Sequence, residues 1–310
     1  MAREKSALSI PQSARPPSLP VYESAQPTPR LLPSLQPVRT ILMADPACFD
    51  VVYEINAHMT GNIGSVDRTR ARAQWEALLR AFEELGLPVA VVPAVEGLPD
   101  LVFSANQSFP LRDGSRRVVL SQMALPPRRA EVAHFEAWYR ERGFSCIELS
   151  KGAVLEGMGD VLWHPGRRLA YAGWGFRTQR ASLDLLSASI DAPVMALHLV
   201  DDRFYHLDTC LSPLDETCAL YVEEAFTAEG LALIRTLFPD AVAIPAEEAV
   251  RGFACNGSVV AGHFVVQRGC STAVKAALSR GLGVVEVETS EFMKSGGSVG
   301  CMHLRLGEVI

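Results

Sequence analysis

The chain has 310 residues, 48% of them hydrophobic, and a formal net charge of −6 at neutral pH. This length and this apolar content suffice for one large or two ordinary domains with a closed core. The even mixture of charge signs leaves no basic stripe for nucleic acid and no polybasic patch for a membrane surface, so neither is an expected partner.

Cysteine usage and hydropathy indicate the compartment. The seven cysteines include no C-x-x-C pair and no alternating Cys/His spacing, which indicates a reducing environment and no metal site. No apolar run reaches the roughly 18 residues of a membrane-spanning helix, and the N-terminus lacks the apolar core of a signal peptide. We therefore expect a cytoplasmic protein.

Residues 1–38 differ in composition from the rest of the chain, because they hold eight of the twenty prolines. Proline removes backbone donors and blocks helix formation, so this segment is predicted to be an extended or disordered arm. Leu31, Leu32 and Leu35 are candidates to lie along the domain surface. Residues 39–310 are predicted to form a single catalytic domain.

The rest of the chain repeats one order of elements. An apolar strand from Val38 is followed by a helix from Asp67 to Gly86, which has Trp75 on its apolar face, and by a second strand. Units of strand, hairpin, strand, helix and strand then return within 101–149, 161–200, 206–245 and 258–288. With the C-terminal strand added to the first strand and helix, the count is five. Such a repeat predicts a radial α/β architecture.

Polar residues cluster at the junctions of these units. Asn106 is predicted to end the strand L-V-F-S-A-N, and Glu156 and Asp160 flank the turn L-E-G-M-G-D. His206 and Asp208 are predicted to share one face of a strand H-L-D-T. Asn56, Asn106, Glu156 and His206 recur at intervals of 50 residues, which places them together if equivalent corners face one centre.

The stretch S-E-F-M-K-S-G-G-S-V-G-C-M-H-L-R-L contains the candidate nucleophile. Cys301 follows a glycine-rich turn that allows close approach of a ligand to the backbone, and it is predicted to open an apolar strand. Each residue also has a plainer interpretation. Cys301 could be a buried core thiol, Glu156 a solvated acid, Asp160 a turn cap, His206 a structural histidine and Asn106 a turn residue.

Four motifs in register favour the catalytic interpretation. P-D-L-V-F-S-A-N, L-E-G-M-G-D, F-Y-H-L-D-T-C-L-S-P-L and the Cys301 stretch together resemble the guanidino-group-modifying enzymes, which include arginine deiminases, dimethylarginine dimethylaminohydrolases, arginine dihydrolases and amidinotransferases. The resemblance extends over residues 38–306. It implies a five-bladed α/β propeller, a small-molecule guanidino substrate and no cofactor or metal.

The resemblance also implies roles for individual residues. Cys301 would attack the guanidino carbon, His206 would protonate the leaving nitrogen and later activate water, and a covalent amidino-cysteine would form between these steps. Glu156 and Asp208 would hold the planar cation through charge-assisted hydrogen bonds. Glu156 is counted with Cys301 and His206 as catalytic. Asp208, Asn106, Asn56 and Asp160 are counted as substrate-binding residues.

The choice among family activities depends on Asn106. The F-x-A-N form resembles the dihydrolases, which convert arginine to ornithine, carbon dioxide and two ammonia molecules. The Asn106 amide can both donate to and accept from a ureido product, whereas an ionised carboxylate could only accept. Asn56 is expected to support it. Dimethylarginine hydrolysis, amidino transfer and a non-catalytic binding module are the alternatives, in that order.

The residue that binds the amino-acid end of the substrate is left open by the sequence. Arg177, Arg203 and Lys294 could each meet a carboxylate, and Arg177 in G-W-G-F-R-T is the favoured candidate. A homo-oligomer is compatible with the sequence but is not indicated by any motif.

Overall fold

The computed structural model describes residues 21–23 and 29–310, so most of the predicted proline-rich arm lies outside the described residues. The strands are β1 (Val21–Tyr22), β2 (Thr40–Ala44), β3 (Val89–Val92), β4 (Ser108–Pro110), β5 (Arg117–Leu120), β6 (Ser145–Ile147), β7 (Val161–Trp163), β8 (Ala170–Trp174), β9 (Val194–His198), β10 (Leu211–Pro213), β11 (Ala219–Tyr221), β12 (Val242–Ala243), β13 (Ser258–Val260), β14 (His263–Gln267), β15 (Gly283–Val287) and β16 (Leu304–Leu306). The helices are α1 (Arg68–Glu84), α2 (Glu131–Glu141), α3 (Gly157–Asp160), α4 (Ser182–Ile190), α5 (Ala228–Leu237), α6 (Ala246–Gly252), α7 (Ser271–Ser279) and α8 (Ser290–Met293).

These strands form five small sheets in the described part of the chain, and each contains the same three-stranded unit. An antiparallel pair is followed by a helix that returns the chain to a third, parallel strand, as in β4, β5, α2 and β6. The parallel step requires such a crossover. In the fifth sheet β16 supplies the first strand from the C-terminus and pairs antiparallel with β2. The five predicted units are therefore present.

Helix α1 shows how local sequence sets an element. Asp67 accepts a hydrogen bond from the backbone N of Arg70 at 3.0 Å and so caps the first turn. Trp75, Leu78 and Phe82 recur at helical spacing and are buried. The helix ends before Gly86, whose φ of +78° is the left-handed conformation that glycine adopts most easily.

Three predicted strands are wrong in the region that carries the chemistry. The L-V-F-S-A-N stretch forms the 3-10 helix Pro99–Val102 and a turn, and the strand begins only at Ser108. The H-L-D-T stretch contains the 3-10 helix Leu207–Thr209 ahead of β10. Cys301 lies in a turn, three residues before β16. His206 and Asp208 therefore do not share a face through strand alternation.

Short local hydrogen bonds explain these differences. Asn106 N donates to Phe103 O at 3.2 Å and Thr209 N donates to His206 O at 3.2 Å, so each backbone closes a turn where a strand would pair. The Thr209 hydroxyl also bonds His206 O, at 2.6 Å. Small polar side chains compete in this way with ladder pairing.

Residues 29–38 pack on the body of the fold. Leu35 is buried and Leu32 packs against the core, whereas Leu31 is 84% exposed. Leu35 N donates to Gly166 O at 3.0 Å, and β1 pairs parallel with β9.

No helix among the described residues is both long enough and apolar enough to cross a bilayer.

We expect Leu42→Ala, in the middle strand β2 of the sheet that also contains β16 and β3, to lower the free energy of unfolding by about 2–5 kcal/mol, because Leu42 is fully buried. Denaturant unfolding measures the effect. The matched control is Leu31→Ala, which should change stability by less than about 0.5 kcal/mol. Equal effects for both leucines would contradict this assignment of the core.

Candidate active site

The turn before Cys301 contains glycines at positions where any side chain would collide with neighbouring residues. A Cβ on Gly296 would lie 2.7 Å from the Tyr205 hydroxyl, and a Cβ on Gly297 would lie 2.4 Å from the Phe103 ring. Gly296 also has a φ of +91°. These contacts bring the turn against neighbouring units and leave Cys301 only 2% exposed.

The thiol of Cys301 contacts two side chains from other sheets. Its Sγ donates to Asp208 Oδ2 at 3.2 Å, and Asn256 Nδ2 donates to Sγ at 3.2 Å. Burial, and then the Asp208 carboxylate, raise the pKa of Cys301 well above its ordinary value. Burial also raises the pKa of Asp208 to about 7. These surroundings therefore favour a neutral thiol.

His206 pairs with a carboxylate. Its Nε2 lies 2.7 Å from Glu156 Oε2, and both side chains are buried. Burial alone would raise the pKa of Glu156, but the His206 hydrogen bond and the charges of His206, Arg177 and Arg128 outweigh it and lower the pKa to about 2. Glu156 Oε1 accepts from Ala124 N at 2.9 Å. An ionised Glu156 is thus placed to orient the imidazole.

Asn106 lies on a turn against the N-terminus of α3. Arg128 Nη1 donates to Asn106 Oδ1 at 2.8 Å, so the amide nitrogen points the other way. This Nδ2 is buried and has no hydrogen-bond partner among the described residues. A Cβ on Gly159 would lie 2.3 Å from Asn106 Nδ2 and 3.2 Å from His206 Nδ1. The missing side chain at Gly159 therefore lets these two groups approach each other.

Asn56 and Asp160, two other predicted substrate-binding residues, form hydrogen bonds with backbone groups near the site. Asn56 accepts from the backbone N of His58 and Met59 and donates to Ser295 O, so its polar atoms serve the local turn. Asp160 is fully buried and accepts from Leu207 N at 3.1 Å, immediately after His206. Burial raises the pKa of Asp160 to about 6.

Among the three candidate cations, Arg177 is the buried one. It contacts Glu156 Oε2 at 3.4 Å, donates to Ile55 O at 2.9 Å and lies over the Tyr205 ring. Arg203 is instead exposed and paired with Asp201, and Lys294 is half-buried and paired with the buried Glu291.

A small cavity lies beside Cys301. Cys301, Asn106, Asn56, Arg128 and Arg177 line it, and its volume is about 10 Å³, room for about one water molecule. A substrate the size of an amino acid enters only when the lining moves. A groove of about 750 Å³ lies beside α2 but contains none of the predicted site residues.

Two residues of the site were missed in the sequence. Arg128 has no distinguishing signal, since an arginine pair after two prolines, as in L-P-P-R-R, is typical of a surface loop. In the structure Arg128 is buried against Glu131, at 2.8 Å. Asn256 did have a signal, because the series at 56, 106, 156 and 206 reaches 256 at the next interval. Its side chain contacts both Asp208 and Cys301.

The similarities to known proteins identify the class as the guanidino-group-modifying enzymes. The family described as N,N-dimethylarginine dimethylhydrolase, eukaryotic, matches residues 54–306, and the chain belongs to it.

Two similar proteins carry three activities in their names. The bifunctional arginine dihydrolase/ornithine cyclodeaminase ArgZ of Synechocystis sp. is 38% identical over 272 residues, which cover 87% of this chain and 38% of ArgZ. The chain thus spans well under half of that relative. The N(G),N(G)-dimethylarginine dimethylaminohydrolase of Mycobacterium tuberculosis is 36% identical over 269 residues, with 86% of each chain covered.

The fold is similar to a solved structure of the same kind. The N-terminal domain of ArgZ, bound to product and described as an arginine dihydrolase from the ornithine-ammonia cycle in Cyanobacteria, superposes with a TM-score of 0.83 at 36% identity. The match covers 87% of this chain and 97% of that domain. The α/β fold predicted in outline is therefore confirmed.

We expect Gly159→Ala to lower kcat/KM by about 100-fold or more, because the added methyl would displace Asn106 and His206 from each other. Steady-state kinetics on a guanidino substrate measures the loss, and circular dichroism verifies the fold. Gly230→Ala, on helix α5, is the matched control, since the nearest atom to its added Cβ would be Phe226 Cβ, 3.5 Å away. Wild-type kinetics in Gly159→Ala would contradict the close packing of this site.

Proposed function

We propose that this chain is an arginine dihydrolase, which hydrolyses arginine twice through a covalent intermediate on Cys301 and yields ornithine, carbon dioxide and two ammonia molecules. The observation that carries the proposal is Asn106, a neutral amide whose Oδ1 is held by Arg128 and whose buried Nδ2 is free to donate. The similarity to ArgZ over 87% of the chain supports it.

The first round begins with the cation. A guanidinium that binds beside Asp208 supplies the positive charge that the buried carboxylate and thiol lack, and so favours the thiolate. Cys301 Sγ adds to the guanidino carbon, and His206 gives a proton to the terminal nitrogen, which leaves as ammonia. Water deprotonated by His206 then attacks the amidino-cysteine, the C–S bond breaks, and a ureido group remains.

The second round acts on that neutral ureido group. Sγ adds to the ureido carbon, the remaining terminal nitrogen leaves as a second ammonia, and a thiocarbamate stays on Cys301. A second water cleaves the C–S bond, and the carbamate released loses carbon dioxide to give ornithine. In this proposal Asn106 Nδ2 donates to the ureido oxygen between rounds, whereas an ionised carboxylate could only accept. Retention of the ureido intermediate is what separates a dihydrolase from an enzyme that releases citrulline.

We assign the remaining residues as follows. Arg177 and Arg128 line the cavity and are the cations available to the substrate α-carboxylate. Glu156 orients His206, and its second predicted task, contact with the guanidinium, requires the Arg177 contact to give way. Asp160 and Asn56 support the backbone beside His206 and the glycine turn.

The five sheets are proposed to be the blades of a propeller about one axis, with residues 39–310 as the single catalytic domain. The proposal rests on the identical order of strands and helix in each unit. A cytoplasmic location and a homo-oligomer stay predictions.

Dimethylarginine dimethylaminohydrolase is the second candidate, because the matching family carries that name and the M. tuberculosis relative shares it. In that reaction the first leaving group is dimethylamine and citrulline is released after one round. The products from each substrate separate the two candidates.

We expect purified protein with 13C-guanidino arginine to give ornithine and about two ammonia per turnover, with little released citrulline. Asn106→Asp should release mainly citrulline, because an ionised carboxylate cannot donate to the ureido oxygen. Chromatography and 13C NMR follow the products. Citrulline as the end product of the wild type, or activity confined to dimethylarginine, would contradict the dihydrolase proposal.

We also expect kcat/KM for arginine to fall as the pH drops below about 7, by up to about tenfold per unit. The raised pKa of Asp208, about 7, means that the acid is neutral at lower pH and cannot pair with the guanidinium. A pH profile at constant ionic strength measures this limb. A flat profile down to pH 5.5, or the same limb in Asp208→Asn, would contradict the assignment.

A further inference from the structure

Asn256 is a buried side chain beside the nucleophile to which neither hydrolytic round yet gives a role. It lies in the turn before β13, is fully inaccessible, and reaches the Cys301 turn from a different sheet. All of its polar atoms are used. Oδ1 accepts from Ser298 N at 3.0 Å and Cys301 N at 3.2 Å, and Nδ2 donates to Asp208 O at 3.0 Å and Cys301 Sγ at 3.2 Å.

These contacts determine which way the amide points. Two backbone N–H groups can only face an oxygen, and the Asp208 carbonyl can only accept, so the nitrogen must be the atom that faces Sγ. The Gly300 N–H donates to Asn256 O at 2.8 Å, and a Cβ on Gly300 would lie 2.9 Å from Nδ2. The glycine therefore allows the amide to reach the sulfur.

The need for such a donor differs between the two rounds. In the first, the bound guanidinium offsets the Asp208 carboxylate and favours the thiolate. In the second, the ureido group is neutral, so the reacting group brings no positive charge to the thiolate. The two cavity cations are paired with other acids, Arg128 with Glu131 and Arg177 with Glu156, and neither donates to Sγ. A fixed N–H aimed at Sγ is then what opposes the repulsion from Asp208.

We propose that Asn256 is a further catalytic residue, which stabilises the Cys301 thiolate by donating Nδ2–H to Sγ, and that this contribution is largest in the second hydrolytic round. The first half stands on the geometry of the site alone. The second half rests on the proposed dihydrolase function.

The first test is performed without substrate. Alkylation of Cys301 by iodoacetamide from pH 6 to 10, read by mass spectrometry of its peptide, reports thiolate formation. Asn256→Ser removes the Nδ2 amide donor, leaves only a shorter hydroxyl side chain, adds no charge, and should slow alkylation about tenfold at each pH below the pKa of the thiol. Asn256→Asp keeps the acceptor contacts, adds a negative charge and should slow alkylation further.

The control for loosening of the same loop is Ser212→Ala. The Ser212 hydroxyl donates to Gly257 O at 3.2 Å, next to Asn256, without contact to the thiol, so its removal should leave the alkylation rate within about twofold of wild type. The charged and titratable groups around Sγ are common to all variants: Asp208, Tyr205, Arg128 and Arg177. A wild-type alkylation rate in folded Asn256→Ser would overturn the proposal.

A measurement on the unmutated side chain guards against variants that fail to fold. The side-chain amide proton signals of Asn256 should move with pH as Cys301 ionises, and the shift should be absent in Cys301→Ala. Amide signals that do not move in wild type as the thiol titrates would overturn the hydrogen bond to the thiolate.

The second test uses products. With arginine, Asn256→Ser should raise the ratio of released citrulline to ornithine by at least about tenfold, because the second round loses more than the first. An unchanged ratio with both rounds slowed equally would overturn the claim about the second round. Absence of ornithine from the wild type would overturn the proposed function instead, and the alkylation result would still decide the contact with the thiolate.

Discussion

The contact between Cys301 and Asp208 is the interaction on which the rest of the site depends. The two groups are 3.2 Å apart and buried, and burial disfavours the charged form of each. A second negative charge in so small a space is costly unless a cation is present. The thiol is therefore poorly reactive without a bound cation, and a planar cation is the partner that makes both the carboxylate and the thiolate favourable.

The remaining charges are balanced before substrate arrives. Glu131 neutralises Arg128, and Glu156 faces both His206 and Arg177. An unpaired charge buried in this site would carry a large desolvation free energy. Each cation is therefore paired with an acid, which also fixes the direction of its side chain. Two buried polar atoms without a hydrogen-bond partner among the described residues, Asn106 Nδ2 and Asp208 Oδ1, belong to the residues proposed to bind the reacting group.

Much of the fold was predictable because its signals are local and repeated. Alternating apolar strands, helices with clear caps such as Asp67 and the recurrence of one unit are enough to indicate the five sheets. The strand boundaries near the site were not predictable. Around Asn106 and Thr209 the choice between a strand and a 3-10 turn depends on backbone bonds of a few residues and on side chains that close them.

The candidate site was predictable to the extent that it follows the repeat. The 50-residue interval indicated Asn56, Asn106, Glu156 and His206, and continued to Asn256. Arg128 could not be found in this way, because its importance arises from burial against Glu131 in the folded chain. The direction of the Asn106 amide was equally hidden, since it depends on a bond from Arg128 across 22 positions.

Rapid quenching of the enzyme during turnover of 13C-guanidino arginine, followed by peptide mass spectrometry, tests covalent chemistry at Cys301 most directly. We expect a labelled adduct on the peptide that contains Cys301 and no turnover in a folded Cys301→Ala variant. Turnover by Cys301→Ala, or an adduct on a different residue, would contradict the proposed role of this thiol.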